Sequence, residues 1–341
     1  MSIISRRVYT EKVISRIRSP FSAKPSSLGL GCVKILAGFL ICLSLTAQTP
    51  PKRPKILGVA HYAIYVSDLA KARAFYEDFL GYQVAFTVPK PDGTVDIAYV
   101  KINDHQWIEL LNEPTHGEGQ FVNLALYTDN VEQMRLYLSA RGVKVQDRVM
   151  RDPAGDKMIS VVDPDGDTLE FIEYVRDSLT GKDRGKHMPA TRISEEIGHA
   201  GILVGKLAAT EEFYGGILGL HDSWRGNSPA SKTLEFVNMD VPDGDEHVAI
   251  KLYKEQLSPD KRGTELHYCL IVPNIIRTVA ILQERAARVH FTSKISMAHS
   301  VDGNYQTNLW DPDGTRTELM QFNSPDGKPV YAPFSTLPPP R

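Results

Sequence analysis

The stretch VAHYAIYVSDLAKARAFYEDFLGY at residues 59–82 returns as IGHAGILVGKLAATEEFYGGILGL at residues 197–220. His61 and His199, Phe75 and Phe213, and Gly81 and Gly219 are each 138 residues apart, so the register is kept without insertion. Such a repeat constrains the fold strongly, because both copies must build the same supersecondary unit. Each copy reads as a strand, a turn, a helix carrying Phe-Tyr, and a Leu-Gly stop where glycine suits a left-handed C-cap. A second pair, VVDPDGDTLEFIEY at 161–174 and LWDPDGTRTELMQF at 309–322, is offset by 148. There Asp-Pro-Asp-Gly supplies turn chemistry between two strands of a hairpin.

Each half divides again. ELHYCLIVPNIIRTVAILQERAARVHF and FVNLALYTDNVEQMRLYLSARGVKV both read as strand then helix. Four units of strand, helix and three strands therefore run over 57–111, 120–174, 196–254 and 264–322. The polar stretch RDSLTGKDRGKHMPATRIS links the halves, which gives a first domain at 56–176, a linker at 177–194 and a second domain at 195–323. The chain of 341 residues is long enough for two domains, each with a core of its own. The tail at 324–341 is proline-rich and reads as extended.

Charge is nearly balanced, 39 basic against 41 acidic residues, which argues against a nucleic-acid or polyanion partner. Residues 1–55 form a leader and linker: Lys34 precedes the apolar run Ile35–Leu45, which ends at small residues and a proline-rich stretch. The run is short for a membrane span. It reads as a secretory signal cleaved near Ala47, hence an exported, periplasmic protein; an uncleaved membrane anchor is the alternative. Cys32 and Cys42 lie in this leader, so Cys269 is the one cysteine of the mature chain and no intramolecular disulfide is expected.

The segment TELHYCLIV at 264–272 alternates Leu266, Tyr268, Leu270 and Val272 on one face with Glu265, His267, Cys269 and Ile271 on the other. A buried imidazole at 267 needs a partner.

The repeated histidine, the FY…LG helix and the DPDG…E hairpin together resemble the vicinal oxygen chelate superfamily, which includes glyoxalase I, antibiotic-resistance proteins and type I extradiol dioxygenases. The resemblance covers about residues 57–322. It implies an α+β fold in which four βαβββ units form two glyoxalase-like domains. Each would be an open cup of curved mixed sheets with helices outside and a divalent metal at its bottom.

By that resemblance the ligand positions of the second half fall on His199, Lys251, His267 and Glu318. Lysine is protonated near neutral pH and is a poor ligand. The remaining two histidines and one carboxylate match the facial set that leaves open positions on Fe(II), with Mn(II) or Zn(II) as alternatives. His247 falls where the extradiol enzymes keep an acid–base histidine, and His299 with Asp302 falls where they orient the organic ligand. Asn308 stands where they carry a tyrosine, and Tyr305, the nearest one, is an odd number of residues away and so on the opposite face. His247, His299, Asp302, Asn308 and Tyr305 are the candidate catalytic residues. In the first half the ligand positions hold His61, Glu109, Asn123 and Glu170, a weaker metal set because an amide replaces a nitrogen ligand.

The resemblance thus implies a metal-dependent enzyme, most like an extradiol ring-cleaving dioxygenase acting on a vicinal diol. A glyoxalase, lyase or isomerase working through an enediolate is one alternative, and a non-catalytic cup that sequesters a small molecule is another. The partner expected is a small-molecule substrate, with self-association allowed and membrane contact only through an uncleaved leader.

Overall fold

The computed structural model describes residues 51–113, 120–228, 230–253 and 265–322. The leader up to residue 50, His116 and the proline-rich tail lie outside the described residues. The four units fall where the repeat places them. The first half carries β1 (Ile56–Val66), β2 (Gln83–Pro89), β3 (Val95–Lys101), β4 (Trp107–Asn112), β5 (Phe121–Thr128), β6 (Met150–Arg151), β7 (Lys157–Val162) and β8 (Thr168–Glu173). The second half carries β9 (Ile197–Val204), β10 (His221–Gly226), β11 (Phe236–Asp240), β12 (His247–Leu252), β13 (His267–Ile271), β14 (Ala298–His299), β15 (Tyr305–Trp310) and β16 (Arg316–Gln321). Each half is one 8-stranded sheet, ordered β2-β3-β4-β1-β5-β8-β7-β6 and β10-β11-β12-β9-β13-β16-β15-β14. The order is the same in both, so the sequence repeat is also a topological one.

The helices of the first and third units, Leu69–Arg73 and Leu207–Thr210, both run on into π turns at Ala74–Phe79 and Glu211–Ile217. The wider turn lets consecutive aromatic residues, Phe75-Tyr76 and Phe213-Tyr214, all be buried. Gly81 and Gly219 close these helices at φ +82° and +81°, a left-handed geometry that favours glycine. The helices of the second and fourth units, Val131–Ala140 and Ile275–Ala286, start at Asn130 and Asn274, whose side chains accept from Gln133 N and Arg277 N.

The DPDG segments do more than turn the chain. Asp311 accepts from Tyr76 Oη at 3.4 Å, and Asp163 accepts from Tyr214 Oη at 3.1 Å. Asp313 accepts from Ser67 N at 2.9 Å and Asp165 from Gly205 N at 2.8 Å. Each half's turn thus clasps the first strand and helix of the other half.

Two separate cores were expected; instead one cluster of buried residues runs through both halves. Tyr62 and Tyr268 have ring centroids 5.4 Å apart, Tyr268 Oη donates to Tyr76 Oη at 3.2 Å, and Phe79 stacks on Phe291 at 4.6 Å. The link is also more than a polar tether. Lys101, wholly buried against the Trp107 ring, donates to the backbone carbonyl and carboxylate of Asp183 at 2.7 and 2.8 Å. Leu179 N donates to Ala154 O, and Thr180 donates to Asp156. Together these contacts fasten the link onto the first half, whose cup face is packed with Phe86, Tyr99 and Trp107.

Candidate metal centre

Strand register fixes which side chains share the cup face of the second half. β9 lies between β12 and β13, with His199 opposite His247 on one side and Cys269 on the other, while Gly201 pairs with His267. On the far edge of β13, Cys269 pairs with Glu318 of β16. His199, His267 and Glu318 are all buried. Nε2 of His199 and Nε2 of His267 are 3.2 Å apart, and Glu318 Oε2 lies 3.7 Å from the first and 3.0 Å from the second.

Three donors bonded at right angles to one ion at about 2.1 Å stand about 3.0 Å from one another. The observed separations match, so these residues fit a single divalent cation, and two imidazoles with one carboxylate leave several of its positions open. The ring of His267 reaches this point only because residue 201 has no side chain. A Cβ there would lie 2.0 Å from His267 Cε1 and 2.1 Å from Nδ1. In the first half the same pairing joins Ala63 to Asn123, where no ring has to cross.

The electrostatics suit a cation. Burial, reinforced by Arg316, pulls His267 down to about 4, so its ring is neutral. Burial, then the neighbouring His199, also holds His247 well below the usual histidine value. Burial works against the charge of Glu318, yet the bonds from His199 and His267 outweigh it and keep the carboxylate ionised. Nδ1 of His267 has two competing partners: it can donate to the Glu265 carbonyl at 2.9 Å or accept from Arg316 Nη2 at 2.7 Å. Only the first choice leaves Nε2 free for a metal. Nδ1 of His199 is buried and has no partner among the described residues.

A cavity of about 180 Å³ opens onto the three donors, walled by Trp224, Phe236, Asn238, Asp302 and Gln306 and reached by His247 and Arg316. It has room for a single-ring molecule and is small for a ligand pocket.

The expected catalytic residues are distributed unevenly. His247 is buried with its ring 4.6 Å from that of His199, and Asp302 lies in the cavity wall with its carboxylate held by Asn304. His299 is exposed on β14, its ring 4.3 Å from Tyr305, and neither lines the cavity. Tyr305 packs toward the core, on the face its odd offset dictates. Asn308 pairs directly with Glu318, and its Oδ1 is buried without a partner among the described residues.

One assignment is corrected by register. Glu109 pairs with Ala63 and Ala249 pairs with Gly201, so Ala249 rather than Lys251 stands at the place of Glu109. Lys251 is one step further along the same face and pairs with Glu265 at 2.7 Å. The position opposite His199 belongs to His247, which replaces Trp107 of the first half.

The first-half set has a different geometry. Glu109 lies 3.2 Å from Nδ1 of His61, whereas Glu170 and Asn123 Oδ1 lie 3.5 and 2.9 Å from Nε2, on the opposite edge of the ring. Burial pulls this imidazole down, but Glu109, Glu170 and Asp152 outweigh it and push it up to about 9. Burial with Glu109 and Asp156 raises Asp152 to about 8. The ring is thus held between acids on both edges, and Glu109, on the Nδ1 edge, does not converge on one point with Glu170 and Asn123 on the Nε2 edge.

Sequence reasoning missed Gly201, Cys269 and Arg316. The repeat carried a signal for the first, since Gly201 aligns with Ala63, and face counting carried one for the second, since Cys269 shares the face of His267.

The sequence model of the Glyoxalase/Bleomycin resistance protein/Dioxygenase superfamily matches residues 58–171 and again 196–319. The chain belongs to this superfamily. An uncharacterized protein, YwbC of Bacillus subtilis (strain 168), is 24% identical over 121 residues, which is 34% of this chain and 96% of that protein. Among solved structures, a variant of homoprotocatechuate 2,3-dioxygenase from B. fuscum superposes with a TM-score of 0.60 at 19% identity, covering 80% of this chain and 73% of that one. The 2,3-dioxygenase LapB from Pseudomonas sp. KL28 superposes at 0.60 with 17% identity, covering 84% and 97%. The Arthrobacter globiformis homoprotocatechuate 2,3-dioxygenase gives 0.59 at 19% identity, covering 82% and 85%. At these identities the likeness is one of fold, the two-domain arrangement of the extradiol enzymes.

Proposed function

We propose that the protein is a metal-dependent enzyme of the vicinal oxygen chelate type, most like an extradiol ring-cleaving dioxygenase, working in its second half on a small vicinal diol. The convergence of His199, His267 and Glu318 at the base of a single-ring cavity carries the reading. These three residues would hold Fe(II), with Mn(II) or Zn(II) as alternatives. When bound, such an ion supplies charge stabilisation for a substrate chelated through adjacent oxygens and, if it is iron, access to dioxygen.

The protein's own residues do the rest. His247 is neutral and buried beside the ligands, so it can accept a proton from a substrate hydroxyl and return it later. Asp302, fixed by Asn304, offers an acceptor at the cavity wall. Trp224 and Phe236 supply apolar walls for a ring. Asn308, directly across from Glu318 but outside the cavity wall, supplies no phenol, so a substrate would have to be acidic enough to lose its proton without one.

The lack of a tyrosine at 308 also supports the second reading, an isomerase or lyase that stabilises an enediolate and consumes no oxygen. From the leader sequence we further propose export to the periplasm with cleavage near Ala47, an uncleaved membrane anchor being the alternative. The test is oxygen uptake by full-length protein loaded with Fe(II) and given a panel of catechols. Uptake that matches formation of a ring-opened product, and disappears in His247→Ala, supports ring cleavage. Turnover of a hemithioacetal or hydroxycarbonyl under anaerobic conditions replaces it with the second reading.

A further inference from the structure

Cys269 is free, wholly buried, and two residues along β13 from His267 on the same face. Its backbone pairs with His199 on one side and Glu318 on the other. Its Sγ, a ring nitrogen of His199 and a carboxylate oxygen of Glu318 all lie within 4.8 Å of one another. The cysteine is not part of the cavity wall, so the sulfur approaches the donors from the floor of the cup and leaves the mouth open. Its one hydrogen-bond contact among the described residues, 3.9 Å to the Leu270 carbonyl, is a weak one.

Nothing in the fold calls for sulfur at this place. The register-equivalent residue of the first half is Ala125, which likewise sits between a histidine strand and Glu170. A second observation concerns the neighbouring donor. Arg316, 2.7 Å from Nδ1 of His267, competes for that nitrogen with the Glu265 carbonyl at 2.9 Å, and where Arg316 prevails the proton sits on Nε2, the atom a metal needs. Among the nitrogen donors His267 is therefore the hindered one, and a further donor nearby would compensate.

We infer that Cys269 is a metal ligand, bound to the same ion as His199 and Glu318, the two donors its sulfur reaches. The inference rests on the metal-centre reading above. On binding, a sulfur–metal bond forms, the S–H bond breaks, the proton passes to solvent, and no oxidation state changes. A thiolate makes the site softer and tilts its preference toward Zn(II) and Co(II) over Mn(II).

Co(II) titration of the metal-stripped full-length protein tests this directly. The wild type should develop an intense near-ultraviolet sulfur-to-cobalt absorption that saturates at one equivalent. Cys269→Ala, which installs the residue the first half carries, should bind Co(II) without that absorption and release one proton fewer per metal. Its Zn(II) affinity should fall about tenfold to a hundredfold. Cys269→Ser guards against a packing defect in the alanine variant and should also lack the absorption. Co(II) uptake by the wild type without the absorption, or an absorption that survives in both variants, overturns the inference and leaves the metal centre standing. Failure of the wild type to take up any metal overturns both.

Discussion

The imidazole of His267 lies across the backbone of Gly201, so closely that a single methyl at residue 201 would stand 2.0 Å from its Cε1. The two residues are cross-strand partners, and the first half holds Ala63 and Asn123 in their place. One small residue thereby decides which half can point a second histidine at a metal.

Gly201→Ala should consequently weaken metal binding by about tenfold to a hundredfold, the range seen when the support of a ligand is disturbed. The sheet backbone accepts alanine at the equivalent Ala63, but displacing the buried His267 ring should also cost about 1–3 kcal/mol of stability. Chelator competition alongside a melting curve separates the two effects. Unchanged affinity would mean that His267 is not a ligand.

His247→Ala should leave metal content intact and lower turnover by about a hundredfold to ten-thousandfold, the usual contribution of a positioned acid–base group. Metal analysis and steady-state rates on the same preparation check this. Loss of metal from the variant would recast His247 as part of the coordination.

Stability should fall as pH rises from about 6.5 to 9. The folded His61 holds its proton up to about 9 while the unfolded residue releases it near 6.5. Its stabilisation is therefore complete below pH 6.5 and is lost on the way to pH 9, a change of roughly 2–4 kcal/mol. Asp152 adds to the trend: between pH 3.8 and about 8 the unfolded carboxyl ionises and the folded one resists. Urea denaturation at pH 6 and pH 9 measures the difference. In His61→Asn the slope should flatten, and Asp152→Asn should be the more stable chain at pH 8.

Tyr214→Phe removes the donor to Asp163 in one of the clasps between halves. It should cost about 1–3 kcal/mol, the penalty of leaving a buried acceptor short of a partner. Because the core is continuous, residues 51–176 or 195–322 expressed alone should expose apolar surface and lack a cooperative melt. A cooperatively folded fragment would contradict the shared core.

The repeat made the four units, the strand order and the three donors legible, because His199, His267 and Glu318 sit in segments whose register the other copy confirms. Lys251 was misplaced because the chain between the third helix and β12 does not match the first half in length. A two-residue slip keeps the same strand face and so leaves no trace in the apolar pattern. Gly201 acts by what it lacks, and its meaning appears only once β9 and β13 are paired. The link at 177–194 looked polar because its lysines and aspartates are charged, yet Lys101 and Asp183 satisfy each other inside the structure.

The reciprocal hold of Asp163 on Tyr214 and of Asp311 on Tyr76 ties the chemistry of one half to the integrity of the other. A lesion in the first half, far from His199, His267 and Glu318, can therefore loosen the strand and helix that carry the second half's donors. The first copy works as a keystone, and a damaging substitution at Asp163 or Asp165 would act through lost support of the second half.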